Sequence, residues 1–562
     1  MDRNAVIAIA ATVLLYFGWQ WSLDQRYPDR NKERPAATEG LAEGPAPRPA
    51  DPAAPTGGSS LPAASQAADS PTALPERTIT IDRPDYRARL STRGGALTGW
   101  SLVHYDDASI SGRPRIELVT ADDGRSLATP LQELGAGDLS RLDYAVREPS
   151  PGVVEFTADV GGALIRKTYR FEPEGYGAAL SIEIENRRSQ ALSPTFGVHW
   201  GARRPAGAEY GEFNLAAFAT DEVVRFAIAP LPSMLGFGGG PAEGTEEIAP
   251  KDGDPFELDW AGAETRYFLV AILPDKPAEA RARFAATEPG REATLDVEFA
   301  PVTLPPGTRL VREYRLYLGP KEPERLEAFG AHLDDAIQKG WAPSLTRFFT
   351  AALTLVHEFV PNYGLAIVLL TIVIRVAMAP LMVGQMRSMK RMAELAPKLK
   401  AAQERYADDR MKQQEAMMAV YQQAGVSPFS AFGGCLPMLL QLPIFVGFYF
   451  ALQSSIQLRQ QPFFGWINDL SQPESLFVIP GTEFSVRALP LLLGAAMWVQ
   501  QRMTPTPGMD PAQARMMQIL MPTMMTLMFY QFASGLGVYW LVSTLLGIAQ
   551  QQWMNRSKPA TA

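Results

Sequence analysis

Residues 364–383, GLAIVLLTIVIRVAMAPLMV, carry a single charge, Arg375, near the middle of an otherwise uncharged stretch. At ~1.5 Å of helical rise per residue such a stretch crosses a ~30 Å hydrocarbon core. A cation at that depth costs ~2.5–3.5 kcal/mol on insertion scales, so what pairs with it decides what the chain can be. Four more apolar segments follow, at 431–452, 488–501, 515–532 and 535–554, and none contains Asp or Glu. No intramembrane carboxylate is therefore available, and a buried salt bridge holding two helices together is a weak explanation. About ten residues separate Arg375 from either end of its span, which makes snorkelling a poor one. What remains is a water-filled cavity lined by uncharged polar groups and open to something negative.

The spans supply such groups. Thr371 lies one turn before Arg375, and Gln441, Gln500, Gln518, Thr523, Ser543 and Thr544 come from the other segments. Each alone also suits interhelical hydrogen bonding; beside an unpaired arginine, a shared hydrated pocket accounts for them better. The 488–501 segment is short, ~20 Å at helical rise, which implies local thinning of the bilayer. The 515–532 segment is rich in methionine (Met516, Met517, Met521, Met524, Met525, Met528). Such a stripe fits core filling and an adaptable apolar surface about equally.

The rest of the chain divides by pattern. Residues 1–24 hold an uncharged apolar run, 5–23, ending in Tyr16, Phe17, Trp19 and Trp21, the aromatic belt of a retained signal anchor. Residues 25–76 form a Pro/Ala-rich tether with too little apolar surface to fold. Residues 77–325 alternate apolar and polar positions, as at Ile182 and Ile184 or Leu295, Val297 and Phe299, and predict a large antiparallel β-sandwich. Residues 326–362 form a linker with an amphipathic helix at 344–359, expected to rest in the membrane interface. Residues 363–556 hold five spans, making six with the anchor, so both termini lie on one side. Between the second and third spans, 384–428 carries eight Lys/Arg and five Asp/Glu and is expected to form a helical hairpin. Met386, Met389, Leu395 and Leu399 give its apolar stripe, interrupted by Pro397, and Asp408 and Asp409 are placed to cap the returning helix. The positive-inside rule puts this hairpin and the short tail, 557–562, in the cytoplasm and the sandwich outside. The fold class is thus multi-domain: an α-helical polytopic membrane core of six spans plus a large antiparallel β-sandwich.

Composition removes several functions. One cysteine excludes a disulfide framework, and four scattered histidines make a metal site improbable. A net charge of −8 argues against nucleic-acid binding. The glycine run 236–240 lacks the strand-before, helix-after context of a phosphate loop. Ser534-Gly535 has no histidine within a span to activate it, and no cofactor is implied. A small-anion secondary transporter is one rival, without the internal repeat it calls for. A membrane-anchored periplasmic carbohydrate-binding protein is the other, and it leaves Arg375 unexplained.

In the order TIVIRVAMAPL, GGCLPMLLQLPIFVGFY, LRQQPFFGWINDLS and MPTMMTLMFYQFASGLGVYWLVST, the stretches over 344–556 resemble the YidC-type membrane protein insertases (YidC/Oxa family) of Gram-negative inner membranes. The first 330 residues match mainly in arrangement. The resemblance implies an insertase and folding chaperone, not an enzyme, with a hydrophilic groove whose arginine corresponds to Arg375. By position it implies substrate contacts at Thr371, Leu442, Phe445, Met528 and Trp540, where relatives often carry Tyr in place of Trp540. It further implies nascent membrane proteins as partners, with the SecYEG translocon and the ribosome, and a periplasmic sandwich like that of sugar mutarotases. The short tail is a poor ribosome holder, which leaves the hairpin for that contact.

Overall fold

The computed structural model describes residues 76–556 apart from short internal stretches, the longest being 205–212, 230–241, 425–435 and 505–510. The anchor span, the tether up to residue 75, the run 236–240, Asp408, Cys435 and the tail lie outside the described residues, as do the side chains of Met386 and Met389.

From Thr78 to Pro320 the period-two pattern becomes antiparallel sheet. Strand Gly177–Asn186 shows why: Leu180, Ile182 and Ile184 are buried while Ser181, Glu183 and Glu185 are not. The strand is one of nine in the largest sheet. Its order, edge to edge, is Glu222–Ala229, Phe213–Ala219, Leu258–Thr265, Phe268–Pro274, Arg309–Pro320, Gly177–Asn186, Ala163–Phe171, Val153–Val160, Ala145–Ser150. A four-stranded sheet (Thr245–Ile248, Ala280–Glu288, Glu292–Phe299, Gly197–Arg203) meets it face to face. Phe226 lies 6.0 Å from Phe284 and Phe299 lies 5.8 Å from Tyr314. A second four-stranded sheet (Thr78–Asp82, Tyr86–Ser91, Ala96–Asp106, Arg115–Glu117) joins the same core through Trp100 against Phe171 at 6.1 Å. Lys167 breaks the apolar pattern: it occupies an inward position opposite Ile182, fully buried, and donates to the carbonyls of Gly94 (3.1 Å) and Leu127 (2.8 Å).

After Pro320 the period changes to that of helices. A short helix α1 (Pro323–Phe329) precedes α2 (Pro343–Phe359), the amphipathic helix expected at 344–359. Thr346, Phe349 and Leu353 of α2 are buried, while Phe348, Leu355 and Phe359 are exposed. The next helix, α3 (Tyr363–Arg405), differs from expectation: the span and the first limb of the hairpin are one helix of 43 residues, passing through Pro380 and Pro397. Pro397 is exposed, so the carbonyl it leaves unbonded one turn earlier can be solvated and the helix need not end. Helix α4 (Arg410–Gln423) returns, and the Asp409 side chain accepts from Lys412 N at 3.1 Å, the cap read from the sequence. The described residues 402–406 and 409–424 belong to a different compact unit from the rest of the described chain.

Helices α5 (Leu436–Ser454), α6 (Ala488–Met503), α7 (Pro511–Phe529) and α8 (Ser534–Arg556) complete the set. Among the described residues one helical stretch, Tyr363–Gly384, is long and apolar enough to cross a membrane. On it Ala366, Ile367, Leu370 and Thr371 are buried, whereas Leu365, Leu369, Ile372, Val373 and Val376 are exposed. An exposed face this apolar suits lipid rather than water. Helix α2 packs on α5, with Phe349 5.4 Å from Phe448. Gly447 allows this approach, since a Cβ there would lie 2.7 Å from the Leu345 side chain.

The connection between α5 and α6 is sewn to the helix ends. Ser534 N donates to Gln472 O at 2.7 Å and Gly535 N to Leu470 O at 2.9 Å. Glu474 Oε1 accepts from Leu489 N at 2.6 Å, capping α6 from fifteen residues away in sequence. The same connection holds the β-domain: Ile456 belongs to its core, and Arg459 and Gln460 both donate to the carbonyl of Asp106.

Candidate functional site

Arg375 follows the buried face of α3 outward by one turn from Thr371 and is half-buried against α8. Its Nε and Nη2 both donate to the hydroxyl of Ser543, at 2.8 and 2.6 Å. Among the described residues its guanidinium makes no ion pair. Five N–H donors against one hydroxyl leave capacity for a further acceptor. One turn beyond Ser543, Gly547 admits the guanidinium and Gln500: a Cβ there would lie 2.8 Å from Gln500 Nε2 and 3.8 Å from Arg375 Nη1. Arg375, Ser543 and Gln500, singled out separately in the sequence, thus meet across α3, α8 and α6.

A second group lies on α5 and α8. Gln441 donates to the Tyr539 hydroxyl, and Tyr539 stacks on Phe448 with ring centroids 4.4 Å apart. Phe445 meets Trp540 edge to face at 4.8 Å, and Phe529 lies 5.2 Å from the same indole. Trp540, Phe445 and Met528 are half-buried against the helical core, so each keeps a face open. Leu442 and Thr523 are exposed on α5 and α7. The Thr371 hydroxyl, buried, donates to Ile367 O at 2.6 Å and that of Thr523 to Ile519 O at 2.8 Å. Both are met within their own helices and keep only lone pairs to offer. Two participants escaped the sequence reading. Tyr539 was hidden as one aromatic among many, and Gly547 showed only as a small residue one turn after Ser543.

Among the described residues no group of His, Cys, Asp and Glu could hold a metal ion. The arrangement offers one cation, a few uncharged polar groups and an aromatic wall.

Two family models align with the chain in succession: YidC periplasmic domain over residues 78–352 and 60Kd inner membrane protein over residues 355–561. Among curated proteins, the membrane protein insertase YidC of Geobacter sulfurreducens is 34% identical over 491 residues, 85% of this chain and 86% of that one. That of Geotalea daltonii is 32% identical over 498 residues (87% and 88%). That of Syntrophus aciditrophicus is 30% identical over 584 residues (99% and 100%). Among solved structures, an active YidC insertase with its first transmembrane domain resolved overlaps 86% of this chain and 93% of its own, at 18% identity and a TM-score of 0.36. The named relatives are insertases and not enzymes. On the strength of these sequence relatives, which match it along nearly its whole length, the chain belongs to the YidC family of membrane protein insertases.

Proposed function

We propose that this chain inserts the transmembrane segments of newly made proteins into the inner membrane and assists their folding, through a hydrated groove centred on Arg375. It acts alone or beside the SecYEG translocon. The observation that carries the reading is the arginine's partner: a cation in a lipid-facing helix, bonded to one hydroxyl and to no carboxylate among the described residues. In this reading the substrate's acidic or polar tail supplies the missing anion. Thr371, Gln441, Thr523 and Ser543 line the wet side of the groove. Leu442, Phe445, Met528 and Trp540 contact the apolar span that slides beside it.

The domain plan follows the sequence: anchor, tether, periplasmic sandwich to about residue 325, interfacial helix, then five further spans with both termini cytoplasmic. The basic hairpin 384–428 receives ribosomes or emerging chains. Energetics support the role. Each unsatisfied backbone group in hydrocarbon costs several kcal/mol, so a groove reaching part-way across the bilayer shortens the costly path. With no nucleotide-binding motif in the sequence, burial of the substrate span drives the step, aided by a membrane potential worth ~2.3 kcal/mol per charge at 100 mV.

The test uses purified protein in liposomes and a newly made one-span substrate with an acidic tail. Protection of the tail from protease is scored for the native chain, Arg375→Lys and Arg375→Ala. Protection that survives only with a cation at 375 supports electrostatic capture. Protection indifferent to residue 375 removes the arginine from the mechanism. No protection with the native chain and a competent substrate ends the autonomous reading.

A further inference from the structure

The connection between α5 and α6 contains a small two-stranded hairpin, Phe477–Val478 paired with Ser485–Val486. The segment 475–480, SLFVIP, has no charge. Leu476, Phe477, Val478 and Ile479 are 46, 54, 52 and 39% exposed. Successive residues of a strand point to opposite faces, so Phe477 and Val478, the two residues of this strand, each leave about half of an apolar side chain exposed on opposite faces. A hairpin in water covers at least one face or carries polar residues on the other. A docked protein would cover one face only. A surrounding apolar medium covers both.

The hairpin is held at the level of the helix ends. The Tyr530 hydroxyl, just past α7, donates to Ser485 O, and Arg487 donates to Tyr530 O. One residue after Arg487, α6 begins, and its first turns expose Leu491 and Leu492; one turn before Tyr530, α7 exposes Leu527. The bare strand therefore continues the apolar surface of two helices read above as spanning. We propose that the hairpin dips into the membrane leaflet on the side of the β-domain, as a shallow lipid anchor for the α5–α6 connection. It is shallow because an open two-stranded ribbon has two edges; among the described residues its strands pair Phe477 with Val486 and Val478 with Ser485. Backbone groups left at its edges need water or headgroups, which hydrocarbon does not supply.

The inference rests on the spanning reading, and the test separates the two. In a Cys435→Ser background of the full chain, single cysteines are placed by Phe477→Cys, Val478→Cys, Leu491→Cys (a helix reference) and Glu246→Cys (an exposed β-domain reference). Each is labelled with bimane and reconstituted in phosphatidylethanolamine/phosphatidylglycerol vesicles. Lipids bearing a nitroxide near the headgroup should cut emission roughly twofold at both 477 and 478, while iodide quenches 246 but neither of them. Iodide quenching at 477 or 478, with 491 still quenched by lipid, overturns the anchor and leaves the spans intact; lipid quenching at one of the two alone assigns the other face to protein and also overturns it. Lipid quenching at neither 491 nor the hairpin overturns the spanning reading and the anchor with it.

Discussion

The Nε and Nη2 atoms of Arg375 on α3 converge on a single acceptor, the hydroxyl of Ser543 on α8, at 2.8 and 2.6 Å. One small hydroxyl thus holds a flexible cation in place without neutralising it. Ser543→Ala should separate a wet site from a dry one. If water replaces the hydroxyl, the cost is that of one exchanged hydrogen bond, ~0.5–1.5 kcal/mol, and Ser543→Thr recovers it. Insertion by Ser543→Ala should fall severalfold as the guanidinium loses its orientation. A stability loss well above that range in detergent unfolding would mean a dry pocket and count against the groove.

Glu264, Lys321 and Arg225 form a buried ionic cluster in the β-domain, with Lys321 Nζ 2.6 Å and Arg225 Nε 2.7 Å from the carboxylate. Burial alone would raise the pKa of Glu264, but the two cations outweigh it and hold the carboxyl below its usual range. Its contribution to stability is present above the ordinary glutamate pKa and is lost as pH falls through the lowered value. Glu264→Gln should cost ~3–5 kcal/mol, because it removes the charge that balances two cations. The double change Glu264→Gln with Lys321→Met should cost less than Glu264→Gln alone. Chemical denaturation of the full chain checks both, and a double variant worse than the single would refute the pairing.

Lys167 makes a pH dependence of the same sign in a higher window. Burial disfavours its charged form and lowers its pKa from 10.5 to about 7. Between those values the unfolded chain binds the extra proton, so the β-domain should gain stability as pH rises through the window. The gradient is at most ~1.4 kcal/mol per pH unit, and the penalty is fully present below pH 7. Thermal unfolding at pH 7 and pH 9, followed through the near-ultraviolet signal of the buried tryptophans, should show this gain in the native chain and not in Lys167→Met. Equal slopes in the two proteins would show that the ammonium does not titrate there.

Gly447 and Gly384 offer a steric contrast within the helices. A side chain at Gly447 meets Leu345 and Phe349 of α2, whereas among the described residues nothing lies within 4 Å of a Cβ at Gly384. Gly447→Leu should push α2 off α5 and cost ~1–3 kcal/mol. Gly384→Ala should be neutral or stabilising by up to ~1 kcal/mol. Thermal stability of both variants in one detergent gives the comparison, and equal effects would remove the close approach of α2 to α5 as a constraint.

The legible parts of this fold are those where one physical period dominates. Ile182 and Ile184 announce their strand, and Phe349 and Leu353 their helix, because burial on one side leaves its mark every second or every third to fourth residue. Asp409 was legible as a cap because capping is local. Contacts made across the chain leave no such trace. Glu474 caps a helix beginning beyond a hairpin, and Lys167 stands in a strand pattern as one more polar residue until the sheets close over it. At the candidate site the charge of Arg375 was conspicuous, but its bond to Ser543 is one of several pairings the polar residues of the spans allowed. The unbroken run of α3 escaped because a proline usually ends a helix, and whether it does depends on whether the freed carbonyl finds water.

The backbone stitches from Gln472 and Leu470 to the start of α8, with the Glu474 cap on α6, tie three elements together at one end of the bundle. At the far end, among the described residues, α6 and α8 are joined by a side-chain bond, Gln551 to Met503 O at 2.7 Å. Helices fastened so unequally behave like the arms of a clothes peg. On the insertase function proposed above, a widening that admits a guest chain would begin at the opposite mouth, with the fastened end as its fulcrum.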